Sequence, residues 1–371
     1  MADTERKTTV VIVTFAAGLA MLVGGAELLV RGASRLAVLM RVSSLVVGLT
    51  IVAFGTSFPE LAVSVQSALS GKADIALGNV VGSNIFNVLF ILGISAIISP
   101  LAVSLQFVRF DVPIMIGASI LTLIMALDGA IGRIDGLILF SLIVFYTVWL
   151  FFKESTAVGD LNSNERTEPS KKEVLTSVLH QSALIIVGLI MLVAGSRWLV
   201  TGAVAFARLL GVSELLIGLT VVAAGTSLPE AATSIVAAIR HERDIAVGNI
   251  VGSNIFNIFS VLGLSSALAA GGIAVNETAL HFDIPVMIAV AFACLPVFFT
   301  GSRIARWEGF LFFGYYVAYT VYLVLSAKHG IMLGRFNHVM AVFVIPITVI
   351  TLIVSVVGSV RAGRCSQEKL L

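Results

Sequence analysis

The sequence predicts an all-α polytopic membrane protein: two inverted five-helix repeats, making ten core transmembrane helices, plus an eleventh C-terminal helix. Three observations lead there. Of 371 residues, 58% are hydrophobic and 12% charged, about half the charged share of a soluble domain, and the mean hydropathy is +1.06. Apolar runs of about 20 residues, enough to cross a hydrocarbon core about 30 Å thick, recur along the chain. Two polar stretches embedded in those runs occur twice, at an offset of 170 residues. This composition excludes a solvated enzyme surface, a nucleic-acid binder and a disordered chain. The net charge of +2 implies no polyanionic partner.

The segment Met1 to Thr9 is short and polar and runs into the first apolar stretch without a small-residue cleavage pattern, so a removed signal peptide is not expected. Spans follow near 9–30, 42–70, 75–98, 107–127 and 134–152, forming a first repeat over 1–152. Residues 153–173 carry nine charges in twenty-one positions and read as a solvated linker. Within it Asp160, Asn162 and Asn164 imitate the start of a calcium loop. Glu165 replaces the glycine of the sharp turn, and Lys171 replaces the closing glutamate, so the loop cannot close on an ion. The second repeat, 174–327, has spans near 175–200, 212–239, 245–269, 282–300 and 307–327. An extra span near 339–360 lies in a C-terminal segment, 328–371.

Fifteen of the 23 Lys and Arg residues fall on one side of this arrangement, with Arg31, Arg35, Arg41, Arg109, Arg240, Arg243, Arg303, Arg306, the linker and the C-terminal tail. Basic residues are retained in the cytoplasm, so the linker and C-terminus are expected inside and the N-terminus outside. A chain without targeting signals fits a prokaryotic inner membrane. Cys294 lies in an apolar run and Cys365 in a polar tail; neither suggests a disulfide or a thiolate metal site.

Residues 48–66, GLTIVAFGTSFPELAVSVQ, match 218–236, GLTVVAAGTSLPEAATSIV, at twelve of nineteen positions. Residues 74–93, DIALGNVVGSNIFNVLFILG, match 244–263, DIAVGNIVGSNIFNIFSVLG, at fourteen of twenty. Weaker echoes pair Phe110-Asp111 with Phe282-Asp283 and Tyr146-Thr147 with Tyr319-Thr320. Five spans per half is an odd number, so the second half enters the membrane with opposite polarity. Inverted repeats place a midplane site on the axis relating the halves, built from interrupted helices. Duplication without a shared site would not keep the polar stretches most alike while their apolar flanks drifted.

Those stretches carry the chemistry. Pro59 and Pro229 lack an N–H and crowd the carbonyls of Gly55 and Gly225, which opens each helix at membrane depth. Bare carbonyls survive there only against protein or a wet cavity. Carbonyls, the hydroxyls of Thr56, Ser57, Thr226 and Ser227, and the carboxylates of Glu60 and Glu230 make an all-oxygen shell suited to hard cations such as Na⁺ or Ca²⁺. An acidic side chain at the bilayer centre costs roughly 2.5–3.5 kcal/mol on insertion scales, so each glutamate is a functional candidate. Asn79, Ser83 and Asn87, spaced i, i+4, i+8, share one helix face, as do Asn249, Ser253 and Asn257. Gly78 with Gly82, and Gly248 with Gly252, form GxxxG pairs that admit close helix packing. Two readings stay open for Asn79, Asn249, Asn84 and Asn254: ion ligands, or helix-to-helix glue. Glu27 and Arg31, spaced i, i+4, and Arg197 read as interface charges. No histidine falls in either stretch and no GxxxxGK[ST] loop is present, which leaves gradient-coupled or passive movement rather than ATP-driven pumping.

GTSFPE with GNVVGSNIFN, repeated as GTSLPE with GNIVGSNIFN, resembles the paired α-repeats of the Na⁺/Ca²⁺ exchanger family of calcium/cation antiporters, above all its compact prokaryotic members. The likeness covers about 330 residues and both repeats. It implies ten core helices, with the second, third, seventh and eighth broken around one Ca²⁺ site and neighbouring Na⁺ sites. On the matching positions, it implies that the central oxygens come from Glu60, Asn87, Glu230 and Asn257. Flanking shells would draw on Thr56, Ser57, Thr226, Ser227, Ser83, Ser253 and the carbonyls of Ala53 and Ala223. The first and sixth helices would slide across this core. Family members often carry Asp where this chain has Asn257. Two carboxylates, nominally −2, are neutralised by one Ca²⁺, whereas three Na⁺ leave +1 unless a site stays unfilled or takes water. Likeness to potassium-dependent relatives is correspondingly weaker.

The expected function is therefore secondary antiport of Na⁺ and Ca²⁺ by alternating access, in the direction of Ca²⁺ export, with Ca²⁺ and Na⁺ (or H⁺) as cargo, no cofactor, and no partner beyond the lipid bilayer. A proton/Ca²⁺ antiporter on the same carboxylates is the nearest alternative. A cation channel and a non-transporting scaffold are further ones, and no nucleophile–base pair or cofactor motif suggests an enzyme.

Overall fold

The computed structural model describes residues 2–159, 171–210, 217, 224–299, 303–327, 331–351 and 353. Its first helix, α1 (Ala2–Met40), is 39 residues long, on the order of 58 Å at 1.5 Å per residue, well beyond the span of 9–30 that hydropathy marks. Helix α2 (Ser44–Thr56) begins at an N-cap, where Ser43 Oγ accepts from the Val46 N–H. It ends at Ser57, whose φ −80 and ψ 6 leave the helical range. Helix α3 (Phe58–Leu69) resumes with Pro59 in its first turn, where the missing N–H is not needed, and is bent 45° from α2. Helices α4 (Ala73–Ile98), α5 (Phe107–Ala126) and α6 (Arg133–Gly159) complete the first half.

Helix α7 (Lys171–Leu209) matches α1 at 39 residues. Ser227 repeats the backbone of Ser57, with φ −87 and ψ 8, and opens α8 (Leu228–Ile239) with Pro229 in the first turn. Of the first part of the expected seventh span, only Ile217 lies among the described residues, and the calcium-loop imitation at 160–165 lies outside them. Helices α9 (Arg243–Leu268), α10 (Ala279–Phe299) and α11 (Arg306–Ala327) follow. Helix α12 (Ile331–Val339) runs on through a π turn at Met340–Val344 and opens the eleventh apolar stretch. Among the described residues, eight helices are long and apolar enough to cross a membrane, and the bent α2–α3 pair makes a ninth.

The third and eighth spans differ from the broken helices that the resemblance implies. Helices α4 and α9 are continuous; each carries a π-helical turn, Asn87–Leu92 and Asn257–Leu262. Neither run contains proline, so nothing forces a break, and one widened turn re-aims the side chains around it. Helix α9 is the centre of the molecule, with every residue of its apolar window buried.

Contacts between the halves are reciprocal. Strand β1 (Leu101–Ala102) pairs antiparallel with β4 (Arg303–Ile304), and β2 (Ala130–Ile131) pairs with β3 (Ile273–Ala274). Helices α1 and α7 touch through glycines: a Cβ on Gly25 would lie 2.7 Å from the Gly188 carbonyl, and one on Gly195 would lie 2.8 Å from the Gly18 carbonyl. In lipid, where burying apolar surface gains little, such backbone approach is what holds helices together. Gly252 likewise admits α2, its Cβ position lying 2.8 Å from the Leu49 carbonyl. Among the described residues, Gly78 and Gly82 meet nothing within 4 Å; positions 218–223, their counterparts to the α2 contact, lie outside the described set.

Candidate cation site

Each half-helix break delivers a carboxylate to the contact between the halves. Glu60 and Glu230 stand in the first turns of α3 and α8, where the helix dipole favours an anion, and both are fully buried. Ser57 Oγ donates to Glu230 Oε1 at 3.0 Å, and Ser227 Oγ donates to Glu60 Oε1 at 3.0 Å. Ser227 Oγ also lies 2.9 Å from Ser83 Oγ on α4. Thr56 Oγ1 donates to Asn249 Oδ1 at 3.0 Å, and Thr226 Oγ1 to Asn79 Oδ1 at 3.1 Å. Every one of these side-chain bonds crosses from one half to the other.

The asparagines divide into two kinds. Asn79 Nδ2 donates to Ser64 Oγ and the Glu60 carbonyl, and Asn249 Nδ2 to Ser234 Oγ and the Glu230 carbonyl. With their oxygens taken by threonines, these two amides are spent on tying α4 to α3 and α9 to α8. Asn87 and Asn257 instead engage only their nitrogens: Asn87 Nδ2 donates to Asn254 Oδ1 at 3.0 Å, and Asn257 Nδ2 to Asn84 Oδ1 at 3.1 Å. Asn84 and Asn254 are thus engaged through both amide ends.

Four buried oxygens remain without a hydrogen-bond partner on these residues: Glu60 Oε2, Glu230 Oε2, Asn87 Oδ1 and Asn257 Oδ1. Ser253 Oγ is a fifth. All are acceptors or can act as such, and a buried polar atom left unpaired costs roughly 1–3 kcal/mol. No basic side chain among the described residues pairs with either glutamate. Anionic and neutral oxygens of this kind are the ligand types that hard cations take. Among the described residues no group of three or more His, Cys, Asp or Glu is gathered, so only two carboxylates stand here, beside amide and hydroxyl oxygens.

The backbone ligands fare differently. The Ala53 carbonyl already accepts from the Ser57 N–H at 3.0 Å, with Thr56 Oγ1 3.3 Å away, because α2 stays helical up to its last residue. Ala223 lies outside the described residues. The carbonyl that Pro229 releases, Gly225, accepts from Ser196 Oγ of α7 at 2.6 Å. Sequence reasoning missed Ser196, which has alanine at the repeat-related position 26. It also missed Ser64, Ser234, Met115 and Met287, although the serines recur at the offset of 170 and the methionines, within FDVPIM and FDIPVM, at 172. Arg240 was missed as a partner of Glu27. Its Nε donates to Glu27 Oε2 at 2.9 Å, and Arg31 pairs with the same carboxylate.

The chain is similar to several known proteins. The family model described as sodium/calcium exchanger protein matches residues 10–152 and 180–325. The antiporter CaxA of Alkalimonas amylolytica is 36% identical over 84% of this chain and 97% of its own length. The sodium/calcium exchanger MaX1 of Methanosarcina acetivorans is 35% identical over 82% of this chain and 96% of its own. The inner membrane protein YrbG of Escherichia coli is 35% identical over 75% and 86% respectively. Among solved structures, the sodium-calcium exchanger NCX_Mj soaked with Na⁺ superposes with a TM-score of 0.71 at 31% identity, covering 84% of this chain and 97% of that one.

Proposed function

Because the chain belongs to the sodium/calcium exchanger family, we propose that it exchanges Na⁺ for Ca²⁺ through a single buried site centred on Glu60, Asn87, Glu230 and Asn257. The observation that carries this reading is the set of four unpartnered buried oxygens on those four residues. Ser83, Ser253, Thr56, Ser57, Thr226 and Ser227 flank them. The two carboxylates sum to −2, the charge that one Ca²⁺ neutralises. The membrane makes an uncompensated pair costly to occlude, so an empty site resists the switch between its two faces, and obligatory exchange follows.

The reciprocal contacts support two inverted halves, 1–152 and 174–327, joined by the linker 153–173 and followed by 328–371. In this arrangement the linker and C-terminus face the cytoplasm of a prokaryotic inner membrane, the N-terminus faces outward, and Na⁺ entering down its gradient drives Ca²⁺ out of the cell. A crevice of about 740 Å³ between α2–α3 and α7 is lined by Ile51, Gly55, Phe58, Leu189 and Arg197, on both sides of the break at Ser57. Helix α1 packs along α8 at the related position in the other half.

The test is Na⁺-gradient-driven ⁴⁵Ca²⁺ flux in proteoliposomes. Wild type exchanges; Glu60→Gln and Glu230→Gln each lose exchange while keeping their melting temperature. Full exchange in either variant would remove the glutamates from the site. Flux that follows a pH gradient and ignores Na⁺ would replace Na⁺ by H⁺ on the same carboxylates.

A further inference from the structure

We propose that Met115 and Met287 are positioning residues that set the amide orientation of the ligands Asn87 and Asn257; this rests on the site assignment above. The chain of contacts starts outside the site. Asn254 Nδ2 donates to Met115 Sδ at 3.3 Å, Asn254 Oδ1 accepts from Asn87 Nδ2, and Asn87 Oδ1 is left unpartnered. The related chain runs from Met287 Sδ, 3.6 Å from Asn84 Nδ2, through Asn84 Oδ1 and Asn257 Nδ2 to the unpartnered Asn257 Oδ1. Asn84 Nδ2 also donates to the Asn254 carbonyl at 3.3 Å.

A primary amide can sit either way round, and its two ends differ only in whether they donate or accept. A thioether only accepts. Placing sulfur at the outer end therefore orders every amide in the row, with the Asn254 carbonyl acting beside Met287 on Asn84: NH₂ toward the methionine, C=O toward the next asparagine, and finally C=O toward the cation. Reversing Asn254 or Asn84 alone would aim an oxygen at a sulfur and set two NH₂ groups against each other; reversing Asn87 or Asn257 alone would set two oxygens against each other and present a donor to Ca²⁺; reversing a whole row would do so while aiming an oxygen at its sulfur. Water cannot substitute as the acceptor. The space enclosed by Asn84, Val88, Met115, Ser119, Asn254, Met287 and Ala291 has no room for one, and the Ser119 hydroxyl is committed to the Met115 carbonyl at 2.9 Å.

The row also crosses between halves. Met115 on α5 orders Asn254 of the second half, which orders Asn87 of the first; Met287 on α10 orders Asn84 of the first half, which orders Asn257 of the second. Each ligand amide is thereby held by the peripheral helix of its own half through a residue of the other.

Leucine matches methionine in volume without the acceptor, so M115L and M287L isolate the sulfur. The expected result is a rise of roughly three- to tenfold in the Ca²⁺ concentration for half-maximal exchange, with the maximal rate within about twofold and an unchanged melting temperature. In an N254A background, which has no amide to orient, M115L has no further effect; the N84A and M287L pair gives a second, independent cycle. Half-saturation that stays at the wild-type value, or M115L acting equally with and without Asn254, overturns the positioning role and leaves the site reading intact. A wild-type protein that neither binds nor exchanges Ca²⁺ overturns both.

Discussion

Ser57 and Glu230 lie on opposite halves of the chain, 173 residues apart, and are joined by a 3.0 Å hydrogen bond that Ser227 and Glu60 reproduce in reverse. Locally, Ser57-Phe58-Pro59-Glu60 has the spacing of a helix capping box, in which serine and glutamate would satisfy their own helix end. Ser57 makes no such cap. Its hydroxyl is lent to the other half, so each carboxylate is oriented by the repeat that does not carry it.

That exchange predicts coupled behaviour. Ser57→Ala leaves Glu230 Oε1 without its donor, and Ser227→Ala does the same to Glu60. Each is expected to raise the half-saturating Ca²⁺ concentration roughly tenfold to a hundredfold, the value of one hydrogen bond to a charged group at about 1.5–3 kcal/mol. In a double-mutant cycle the two are expected to be non-additive, since both act on one ion. Equilibrium ⁴⁵Ca²⁺ binding to purified protein checks this.

Helix pairing through α1 and α7 should govern rate rather than affinity. A valine at Gly25 would push against the Gly188 carbonyl, 2.7 Å from the first added carbon, and backbone cannot yield as a side-chain tip can. Gly25→Val is expected to slow exchange several-fold and lower the melting temperature by several degrees, with ion affinity within about twofold of wild type. Flux, thermal unfolding and binding on one preparation separate these outcomes.

Glu27 on α1 is clasped by Arg31 and by Arg240 at the end of α8, and Ser34 donates to Glu242 in the same turn at 2.7 Å. At the repeat-related positions stand Arg197 for Glu27, Ser70 for Arg240, Val204 for Ser34 and Lys72 for Glu242, so the clasp cannot form twice. Holding α1 against α8 in one half only should favour one face of the exchanger. The Arg240 side chain is 49% exposed, which limits the pair to about 0.5–1 kcal/mol. Glu27→Gln should thus shift cysteine-labelling rates on the two faces two- to fivefold in opposite directions, with the difference fading at high salt.

His241 occupies the left-handed region at φ 61, in the turn where the first half has Gly71 at φ 71. Both close their helices with the same bonds: Lys72 N–H to the Ser67 carbonyl, and Glu242 N–H to the Ala237 carbonyl. Glycine is the residue such a turn prefers, and a side chain there costs about 1 kcal/mol. His241→Gly should raise stability by about that amount without altering exchange, as read by thermal unfolding and flux.

The sequence by itself determined the membrane class, most span positions, the twofold repetition and the polar stretches that carry the candidate ligands. Each is a property of local composition or of self-similarity, and both are written along the chain. What only the tertiary structure decided is which end of each polar side chain is spoken for. Asn79 and Asn87 share one helix face and one residue type, yet Asn79 is engaged at both amide ends and Asn87 at its nitrogen alone. The difference comes from Ser64, Thr226 and Asn254, residues up to 167 positions away. Likewise the Ala53 carbonyl is occupied by its own helix and Gly225 by Ser196. A hydrogen bond is satisfied by whichever partner folding brings within about 3 Å. Some of those partners, Ser64 and Ser196 among them, lie in the same half, and others, Thr226 and Asn254, arrive from the far half of the chain.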